Sequence, residues 1–577
     1  MKYLISAIIA LLTGVQTAQG QPQQGVTDSL LWRDFAFVRD NDPWLMSHNA
    51  ASLTRMSTEN MSVAEVGMAA TRGGFVDFYQ PAHSLLIDAA VESLYRLSQR
   101  TVVYGAMRYE NFTGQHMAGS AFINPKYKPF DIVEDSLCNV GKKHRDTYQL
   151  TGAIGVELYK GAAIGARLDY TAANYAKYKD LRHKNSFMDL VATAGVYLPV
   201  AQVVNLGGNL YYRRNTESIQ FSTYGKTDKT YKSFIDYGGF IGEVEQFGEE
   251  RFTDHNREMP LFDEYFGGGA QLEWVIKPSL RWYNDFQTAR RKGYYGRKAP
   301  YTTQLSHHHS RVFDVESRLS FRHHVTAHEL DFRLRTENLA NYEEHFRELK
   351  NDAGSKYYEY YDAMKTANKV WVDGGVSYTL YMGIRNDMPT TTIKAGVNFM
   401  QRKLTAYDFP YFRRQKLDNQ EAFMQISRNF PLGDGLLSVS VRGAYLDGQG
   451  DPFVDGTMAT PSDKQASPPQ MEACLYREYE HLTASQMSGT LSLRYATRLP
   501  GTHIVAYVMA MADYRKVISS PSAITAPFAS SDPAAPAASS TSVASSAPAA
   551  SSAPAAPVDL LTGRDHTRLQ LTFGCSF

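Results

Sequence analysis

The sequence predicts an all-β protein, a transmembrane antiparallel β-barrel of about 18 strands. Three observations predict it. Segments that alternate apolar and polar residues recur from residue 62 onward, short and long links separate them in turn, and the last strand ends in Phe577. A tilted strand crosses a bilayer with only ~9–11 residues. A membrane barrel turns apolar side chains to lipid and polar ones to its lumen, which accounts for the alternation.

The eighteen predicted strands are separated by links whose lengths are sorted. The predicted bounds are 62–71, 84–98, 101–113, 147–158, 162–174, 187–198, 202–214, 264–275, 279–291, 310–322, 327–338, 370–382, 390–402, 420–430, 436–446, 484–498, 503–516 and 564–577. Links after even-numbered strands are short and links after odd-numbered strands are long. This sorting is typical of bacterial outer-membrane barrels, with short periplasmic turns and long extracellular loops. We therefore expect a cell outer-membrane location with both termini periplasmic.

One hairpin predicts its own register. With a turn at His324-Val325, three acid–base pairs lie directly opposite one another: Asp314 with Arg335, Glu316 with Arg333, and Arg318 with Asp331. An arginine that faces lipid at the bilayer midplane costs about 2–4 kcal/mol. These six residues are therefore predicted to line the lumen, where they either bind a polar solute or pair with one another to satisfy their charges.

The N-terminus has the pattern of a secretory signal peptide over residues 1–20. Lys2 gives a positive start, Leu4–Leu12 an apolar run, and Ala18-Gln19-Gly20 a small-residue cleavage site. Removing Lys2 with this segment leaves 59 basic and 59 acidic residues. The absence of a basic surplus argues against nucleic acid as a partner.

Two further segments stand apart from the barrel, which we assign to residues 61–577. Residues 21–60 are too apolar and aromatic for a free tail, and we expect an N-terminal plug-like segment at the periplasmic mouth; a disordered leader is the alternative. Residues 522–557 consist almost wholly of Ser, Ala, Pro and Thr, a composition that cannot bury a core. Between the last two strands, they are predicted to form a low-complexity extracellular loop, either a displayed stalk or a neutral insertion.

Motifs of catalysis and metal binding are missing from the sequence. It contains no G-x-S-x-G, H-E-x-x-H or glycine-rich phosphate loop, so we predict neither an enzyme nor a cofactor, with a hydrolase at the barrel rim as the alternative. His307-His308-His309 are predicted in an external loop and His323-His324 in a periplasmic turn, too far apart to share an ion. We predict no metal site, with weak binding of a soft divalent metal by the triplet alone as the alternative. Whether Cys138 and Cys474, both in predicted loops, form a disulfide is left open.

The terminal strand and the N-terminal segment each carry a short resemblance. Leu569, Leu571, Phe573, Cys575 and Phe577 alternate with polar or small residues. This pattern resembles the signal that the outer-membrane barrel assembly machinery recognises, which implies Phe573 and Phe577 as the assembly signal. Asn49-Ala50-Ala51 resembles the N-terminal Asn-Pro-Ala entry of the long-chain fatty-acid transporter superfamily. Ala50 replaces the proline and that family has fewer strands, so the resemblance implies only an N-terminal hatch.

Across its length the chain resembles a Bacteroidota outer-membrane barrel family of unassigned function. The resemblance is carried by Asp42-Pro43-Trp44-Leu45, by Arg291-Lys292-Gly293-Tyr294-Tyr295-Gly296 and by the Phe-terminated strand. Members tend to be associated with TonB-dependent uptake systems. The resemblance implies as partners a TonB-dependent receptor or surface lipoprotein, the barrel assembly machinery, and outer-membrane lipid with lipopolysaccharide.

Together these observations predict a porin-like channel or accessory uptake component for a solute that the sequence does not identify. Barrels of sixteen to eighteen strands can enclose an aqueous channel. The alternative is a non-conducting scaffold or surface-display barrel that acts through partner proteins.

Overall fold

The computed structural model describes residues 33–58, 60–134, 139–225, 228–249, 251–299, 302–519 and 563–577. Within them, eighteen strands form one closed antiparallel barrel. The predicted signal peptide, the insert 522–557 and Cys138 lie outside the described residues. The expectations for these three features stay predictions.

The barrel strands are β1–β3, β5–β8 and β11–β21, and a separate three-stranded sheet contains β4, β9 and β10. The bounds are β1 Met61–Arg72, β2 His83–Ser98, β3 Thr101–Met117, β4 Asp131–Val133, β5 Gly141–Tyr159, β6 Ala162–Lys177, β7 Arg182–Ala201, β8 Val204–Ser222, β9 Lys232–Gly238, β10 Ile241–Gln246, β11 Met259–Lys277, β12 Leu280–Ala299, β13 Thr302–His323, β14 Thr326–Lys350, β15 Lys356–Met382, β16 Thr391–Asp408, β17 Tyr411–Leu432, β18 Gly435–Thr457, β19 Ser485–Arg498, β20 Val505–Ser519 and β21 Asp565–Ser576. Each of the eighteen predicted strands overlaps a barrel strand.

The helices of the described residues are few and short. They are α1 Phe35–Asn41, α2 Pro43–Met46, a 3-10 helix Ala50–Arg55, and α3 Glu472–Thr483. In the part of the chain that the structure describes, no helix has the length and apolar character needed to cross a membrane.

The seam between the first and last strands closes the barrel. β1 pairs with β2 on one edge and with β21 on the other, with Val66 opposite Phe573. Beyond the ladder, the Ser62 N–H donates to the Phe577 carbonyl at 2.8 Å, and the Phe577 N–H donates to the Ser62 carbonyl at 3.0 Å. The first and last strands therefore close the barrel directly against each other. The role of Phe573 and Phe577 in assembly stays a prediction.

The seam offers a cross-linking test, because the native Cys575 lies directly opposite Ala64. Directly opposed residues have Cβ atoms about 4.5–5.5 Å apart, close to the reach of a disulfide. We expect Ala64→Cys to oxidise with Cys575 and to give a linked peptide pair in mass spectrometry, with Cys138 and Cys474 replaced by serine. Ala70→Cys, opposite Leu569, is the control that should give none. An open seam would leave both variants unlinked.

The outer surface of the barrel is a belt of exposed apolar side chains. On β8, Leu206 and Leu210 are exposed, whereas Asn205 and Asn209 are buried on the opposite face. Exposed apolar residues occur in the same way around the barrel, for example Val66, Ile87, Met107, Leu150, Leu168, Phe266, Phe286, Phe313, Leu330, Val376, Val397, Met424, Leu491, Val508 and Leu571. A continuous apolar surface of this kind is not stable in water. The protein is therefore a transmembrane β-barrel, as predicted.

The connections fall at two ends, which we call the turn end and the loop end. At the turn end the links are short; His324-Val325 joins β13 to β14 as predicted. At the loop end, the sequence predicts long links at residues 175–186, 292–309, 339–369 and 403–419, and that prediction is wrong. β12 ends at Ala299 and β13 begins at Thr302, and only residues 351–355 separate β14 from β15. The hydrogen-bonded pairing of the strands continues beyond the apolar belt. There, charged pairs replace the alternation of apolar and polar residues from which a strand is predicted.

The described residues of four further links at the loop end fold inward. Residues 73–82, 118–134, 232–246 and 472–483, here called the loop layer, carry the three-stranded sheet and α3. Phe130, Ile132 and Ile235 of this layer share a core with wall residues Phe221 and Leu261. The loop layer is therefore packed against the inner wall of the barrel by the same hydrophobic burial that builds a soluble core.

Candidate functional site in the barrel lumen

The predicted charge ladder has the predicted register. Asp314 pairs with Arg335, Glu316 with Arg333, and Arg318 with Asp331, all between β13 and β14. The Arg318 Nε donates to Asp331 at 2.5 Å, whereas Arg335 and Asp314 are 3.7 Å apart. Arg333 donates to Asn398 Oδ1 at 3.2 Å. Arg318 also donates to the Asp40 carbonyl, so the ladder reaches the N-terminal segment. A solute-binding role for these six residues stays a prediction.

The N-terminal segment, residues 33–58, is built from short capped helices. The Asp34 carboxylate accepts from the N–H groups of Ala36 and Phe37 and begins α1. Asp42 accepts from the Trp44 N–H at 3.0 Å, and Pro43 occupies the first turn of α2. Such caps satisfy N–H groups that a helix start leaves open. The local sequence thus fixes a compact segment that ends in the 3-10 helix.

A row of glycines in the barrel wall receives this 3-10 helix. Gly155, Gly165 and Gly195 lie opposite one another on β5, β6 and β7. A Cβ atom on Gly165 would lie 2.2 Å from the Ala51 nitrogen, and one on Gly195 would lie 2.1 Å from Asn49 Oδ1. Only glycine therefore allows the segment to approach the wall this closely. We call Gly155, Gly165 and Gly195 the glycine row.

Polar and aromatic contacts hold the segment in this groove. Asn49 is 1% exposed, and its Nδ2 donates to the Val196 carbonyl at 2.7 Å and to Gln271 Oε1 at 3.1 Å. Trp44 is fully buried, edge-on to Tyr197 and Tyr283 with ring centroids 5.0 and 5.1 Å away. These contacts resemble those of a protein interior rather than of a loosely held tail. The plug-like role of the segment stays a prediction.

Residues 118–134 of the loop layer cross the lumen and contact the wall on several sides. The Lys128 ammonium lies 2.9 Å from the Glu217 carboxylate, and the Tyr127 hydroxyl donates to Asp373 at 2.8 Å. Glu217 lies on β8 and Asp373 on β15. The segment therefore bridges well-separated strands and narrows the lumen.

Glu134 anchors one end of that bridge in a buried charge cluster. Its carboxylate contacts Lys143, lies 2.5 Å from Lys177 Nζ and 2.9 Å from His183 Nε2. All four side chains are at most 1% exposed. Burial by itself raises the pKa of Glu134, but Lys143, His183 and Lys177 outweigh it and hold that pKa well below its usual range.

A chamber of about 280 Å³ lies between the N-terminal segment and the wall. Its polar lining residues are His48, Arg167, Asp169, Thr193, Tyr211, Arg213, Tyr265, Gln287, Thr288, Asp314 and Arg335. Arg167 makes two hydrogen bonds of 2.8 Å to Asp169, and Arg213 makes two of 2.8 Å to Asp189. Arg335 Nε has no hydrogen-bond partner among the described residues. One end of the predicted ladder thus lines a polar chamber.

A second cavity, of about 190 Å³, lies within the loop layer and is here called the loop cavity. Asp77, Asp131, Asp236 and Lys369 line it together with Phe130, Phe240, Trp371, Arg402 and Glu478. Burial raises the pKa of Asp77 and Asp131 to about 7 and that of Asp236 to about 6. Sequence reasoning missed this cavity, because its residues come from β4, β9, β15, β16, α3 and the links next to them.

The sequence predicts the histidine triplet in a loop, but the triplet lies within β13. His308 is buried with its Nε2 2.5 Å from Asp263 Oδ1, whereas His307 stacks on Tyr342. Among the described residues, no group of three or more His, Cys, Asp or Glu side chains is spaced to hold a metal ion. Cys474 is buried in α3, whereas Cys138 lies outside the described residues.

The fold and the lumen define a class: a closed membrane-spanning β-barrel whose lumen holds inward-folded segments. Residues 50–541 match the model of DUF6850, a family of unknown function. The chain belongs to this family. No curated protein matches the sequence.

Solved structures with a similar course of the chain include outer-membrane barrels. The ferric preacinetobactin receptor BauA of Acinetobacter baumannii has 8% identity and a TM-score of 0.33, over 89% of this chain and 80% of the receptor. The outer-membrane transporter YddB of Escherichia coli has 7% identity and a TM-score of 0.37, over 89% and 80%. The iron transporter FrpB of Neisseria meningitidis has 7% identity and a TM-score of 0.33, over 92% and 83%. At these values, none of the likenesses bears on what this chain binds.

Proposed function

We propose that the protein is an outer-membrane channel or accessory uptake component for a small polar solute. In the resting state, the N-terminal segment closes the turn end and the loop layer narrows the loop end. The observation that carries this proposal is the polar chamber of about 280 Å³ between the segment and the wall. A purely structural barrel has no need of a polar volume that holds about nine waters at ~30 Å³ each.

The outer-membrane location is part of the same proposal. The apolar belt requires a bilayer, and closed barrels with an even number of antiparallel strands are the spanning form of bacterial outer membranes. The even strand number also brings both ends of the barrel to the turn end, which we assign to the periplasm. Outer-membrane lipid and lipopolysaccharide would then surround the belt.

The partners remain part of the proposal as well. The resemblance to barrels associated with TonB-dependent uptake favours a TonB-dependent receptor or a surface lipoprotein at the loop end. The barrel assembly machinery would recognise the terminal strand through Phe573 and Phe577. Co-purification from native membranes tests both associations, and purification of the chain alone under mild detergent would contradict a stable receptor complex.

A specific observation favours the second candidate, a non-conducting scaffold. Buried charged side chains fix the loop layer to the wall. Those of the Glu134 cluster are at most 1% exposed. Breaking such a cluster is strongly unfavourable, so this layer is not built to open freely. A scaffold would present the loop end to a partner and pass nothing.

Conductance in planar bilayers separates the two candidates. We expect Trp44→Ala combined with Arg55→Ala to release the N-terminal segment, because loss of one buried tryptophan costs about 3–5 kcal/mol. That shift raises the open fraction at least about a hundredfold. Trp274→Ala, which removes a tryptophan 48% exposed on the barrel surface, is the control and should leave conductance unchanged. A barrel that stays closed in every variant would support the scaffold.

A further inference from the structure

The loop cavity has the composition of a binding site rather than of a packing gap. Three carboxylates and an ammonium group meet there beside the rings of Phe130, Phe240 and Trp371. Exposed Gln80 and Lys126 form part of its lining, so the cavity reaches solvent at that side. It belongs to the loop layer and is separate from the central chamber, whose lining shares no residue with it.

In Asp131 and in Asp236, the carboxylate oxygen Oδ1 accepts hydrogen bonds that hold the loop layer together. Asp131 Oδ1 accepts from the Ser120 hydroxyl at 2.6 Å and from the Ile132 N–H at 2.8 Å. Asp236 Oδ1 accepts from the N–H groups of Gly238 and Phe240 at 2.9 and 2.8 Å. The second oxygen of Asp131 has no hydrogen-bond partner among the described residues, although this side chain is only 5% exposed. A buried carboxylate oxygen without a hydrogen-bond partner requires a donor.

The lining of the loop cavity also contains hydrogen-bond donors that lack a partner among the described residues. The indole Nε1 of Trp371, a residue 2% exposed, and the Nε of Arg402 have no hydrogen-bond partner in the part of the chain that is described. Native proteins leave few such buried atoms. These donors call for an acceptor and the Asp131 oxygen calls for a donor, so polar groups of both kinds that enter the cavity complete its lining.

The charges of the lining do not balance. Arg402 is neutralised by Glu478 through two contacts of 2.7 and 2.8 Å. This leaves Asp77, Asp131 and Asp236 facing two bases: Lys369, which donates to the Lys128 carbonyl at 3.2 Å, and Arg477, which donates to the Val76 carbonyl at 3.2 Å. Three acids against two bases give an excess of one negative charge. An entering solute of positive charge would compensate this excess.

A single metal ion does not fit this excess. No group of three or more acidic, histidine or cysteine side chains in the described ranges is spaced to share an ion. Asp131 and Asp236 lie directly opposite one another on β4 and β9, whereas Asp77 comes from the link 73–82, and aromatic rings form part of the same lining. Rings attract organic ammonium groups through their negative faces, and a longer cation can meet separated carboxylates at once. We propose that the loop cavity binds a small organic cation with one or two ammonium groups.

This proposal deepens the proposed function, since it names the class of solute, and it rests on that function only for passage through the barrel. Binding is measured on the closed barrel. The probe is 1,4-diaminobutane, titrated calorimetrically into the full chain in detergent micelles at pH 8. Succinate, an anion of the same chain length, and Mg²⁺ alone are the comparators. We expect saturable binding of the diamine, at least about tenfold tighter than either comparator.

Two substitutions act in opposite directions. Asp131→Asn keeps the acceptor for Ser120 and removes the charge, and should weaken diamine binding about tenfold or more, a change of about 1.4 kcal/mol. Lys369→Gln removes the buried positive charge and should tighten it. Asp434→Asn, on an exposed residue of the β17–β18 turn, is the matched control and should change nothing. The Lys369 variant keeps the proposal testable if Asp131→Asn fails to fold.

Affinity should also depend on pH in a defined direction. The titratable and charged groups that surround the cavity are Asp77, Asp131, Asp236, Glu478, Lys126, Lys369, Arg402, Arg477, Tyr79 and His481. Burial raises the pKa of the three unpaired aspartates to about 6–7 and lowers that of His481 to about 3. The diamine stays charged, because alkyl amines titrate near ~10. Lowering the pH from 8 to 5.5 therefore protonates the carboxylates and should weaken binding about tenfold or more.

Four results would overturn the proposal: no saturable binding of the diamine at pH 8, tighter binding of succinate, Mg²⁺ binding as tight as that of the diamine, or an affinity that rises on acidification. Each concerns binding alone. A barrel that binds the diamine but never conducts would contradict the proposed channel and leave the cation site intact. A barrel that conducts without binding the diamine would do the reverse.

Discussion

Gly165→Val should expel residues 50–55 from the glycine row. Even a single Cβ at this position would lie 2.2 Å from the Ala51 nitrogen and 2.4 Å from the Ala50 carbonyl carbon. The atoms in the way belong to the main chain, so no rotation of a side chain relieves the clash. Overpacking of this kind costs about 1–3 kcal/mol even when the surroundings can yield. The buried Trp44 and Asn49 contacts depend on the same docked position and should be lost with it.

Trypsin measures the release directly. Arg55 ends the 3-10 helix, and its Nη1 donates to the Tyr197 hydroxyl at 2.7 Å. It is protected while the segment is docked. We expect rapid cleavage after Arg55 in Gly165→Val and slow cleavage in the native chain. Gly152→Val is the control, because a Cβ on Gly152 meets nothing within 4 Å. Equal protection of Arg55 in both variants would show that the segment does not depend on the glycine row.

Glu134→Gln should detach residues 118–134 from the wall. The substitution leaves the Lys143 and Lys177 ammonium groups buried without their carboxylate. Removing one partner of a buried ion pair costs about 3–5 kcal/mol, because the remaining charge stays desolvated. The thermal midpoint of the folded barrel in detergent should fall clearly. Glu359→Gln is the control, since its pair with Arg347 is 47% and 65% exposed and such surface pairs contribute about 0–1 kcal/mol.

The same cluster predicts a pH dependence. The basic neighbours hold the pKa of Glu134 below its usual range, so its contribution to stability is fully present above the unfolded value of about 4.3. It is lost as the pH falls toward the lowered pKa of the folded protein. The difference in thermal midpoint between native and Glu134→Gln should therefore be constant from pH 5 to 8 and shrink below about pH 4. A difference that grows on acidification would contradict the assigned charge state.

The strands could be predicted because lipid and lumen impose opposite requirements on alternate residues. The register at His324-Val325 followed from Asp314, Arg318 and their partners, since a slip by one residue would turn arginines toward lipid. The strand ends at the loop end could not be predicted in this way. Beyond the bilayer both faces of β14 and β15 are wet, and pairs such as Lys356 with Glu348 have no period that separates strand from loop.

Contacts between side chains in the lumen could be predicted only where both partners lie on one hairpin. The Asp314–Arg335 pair is visible in the sequence because the two residues face each other across one turn. The glycine row joins three strands to a segment about a hundred residues away, and a glycine in a strand gives no sign of what approaches it. The loop cavity combines residues from both halves of the chain. Such contacts depend on how loops fold back, which local patterning does not encode.

The seam between β1 and β21 also sets an order of events during biogenesis. The Ser62 backbone exchanges hydrogen bonds with Phe577, so the ring is complete only when β21 has reached β1. The N-terminal segment is joined to β1 by residues 56–60 and contacts β5–β8 on the inside. A segment that is joined to the first strand by so few residues is enclosed when the barrel closes. We therefore expect the segment to dock during assembly of the barrel rather than after it.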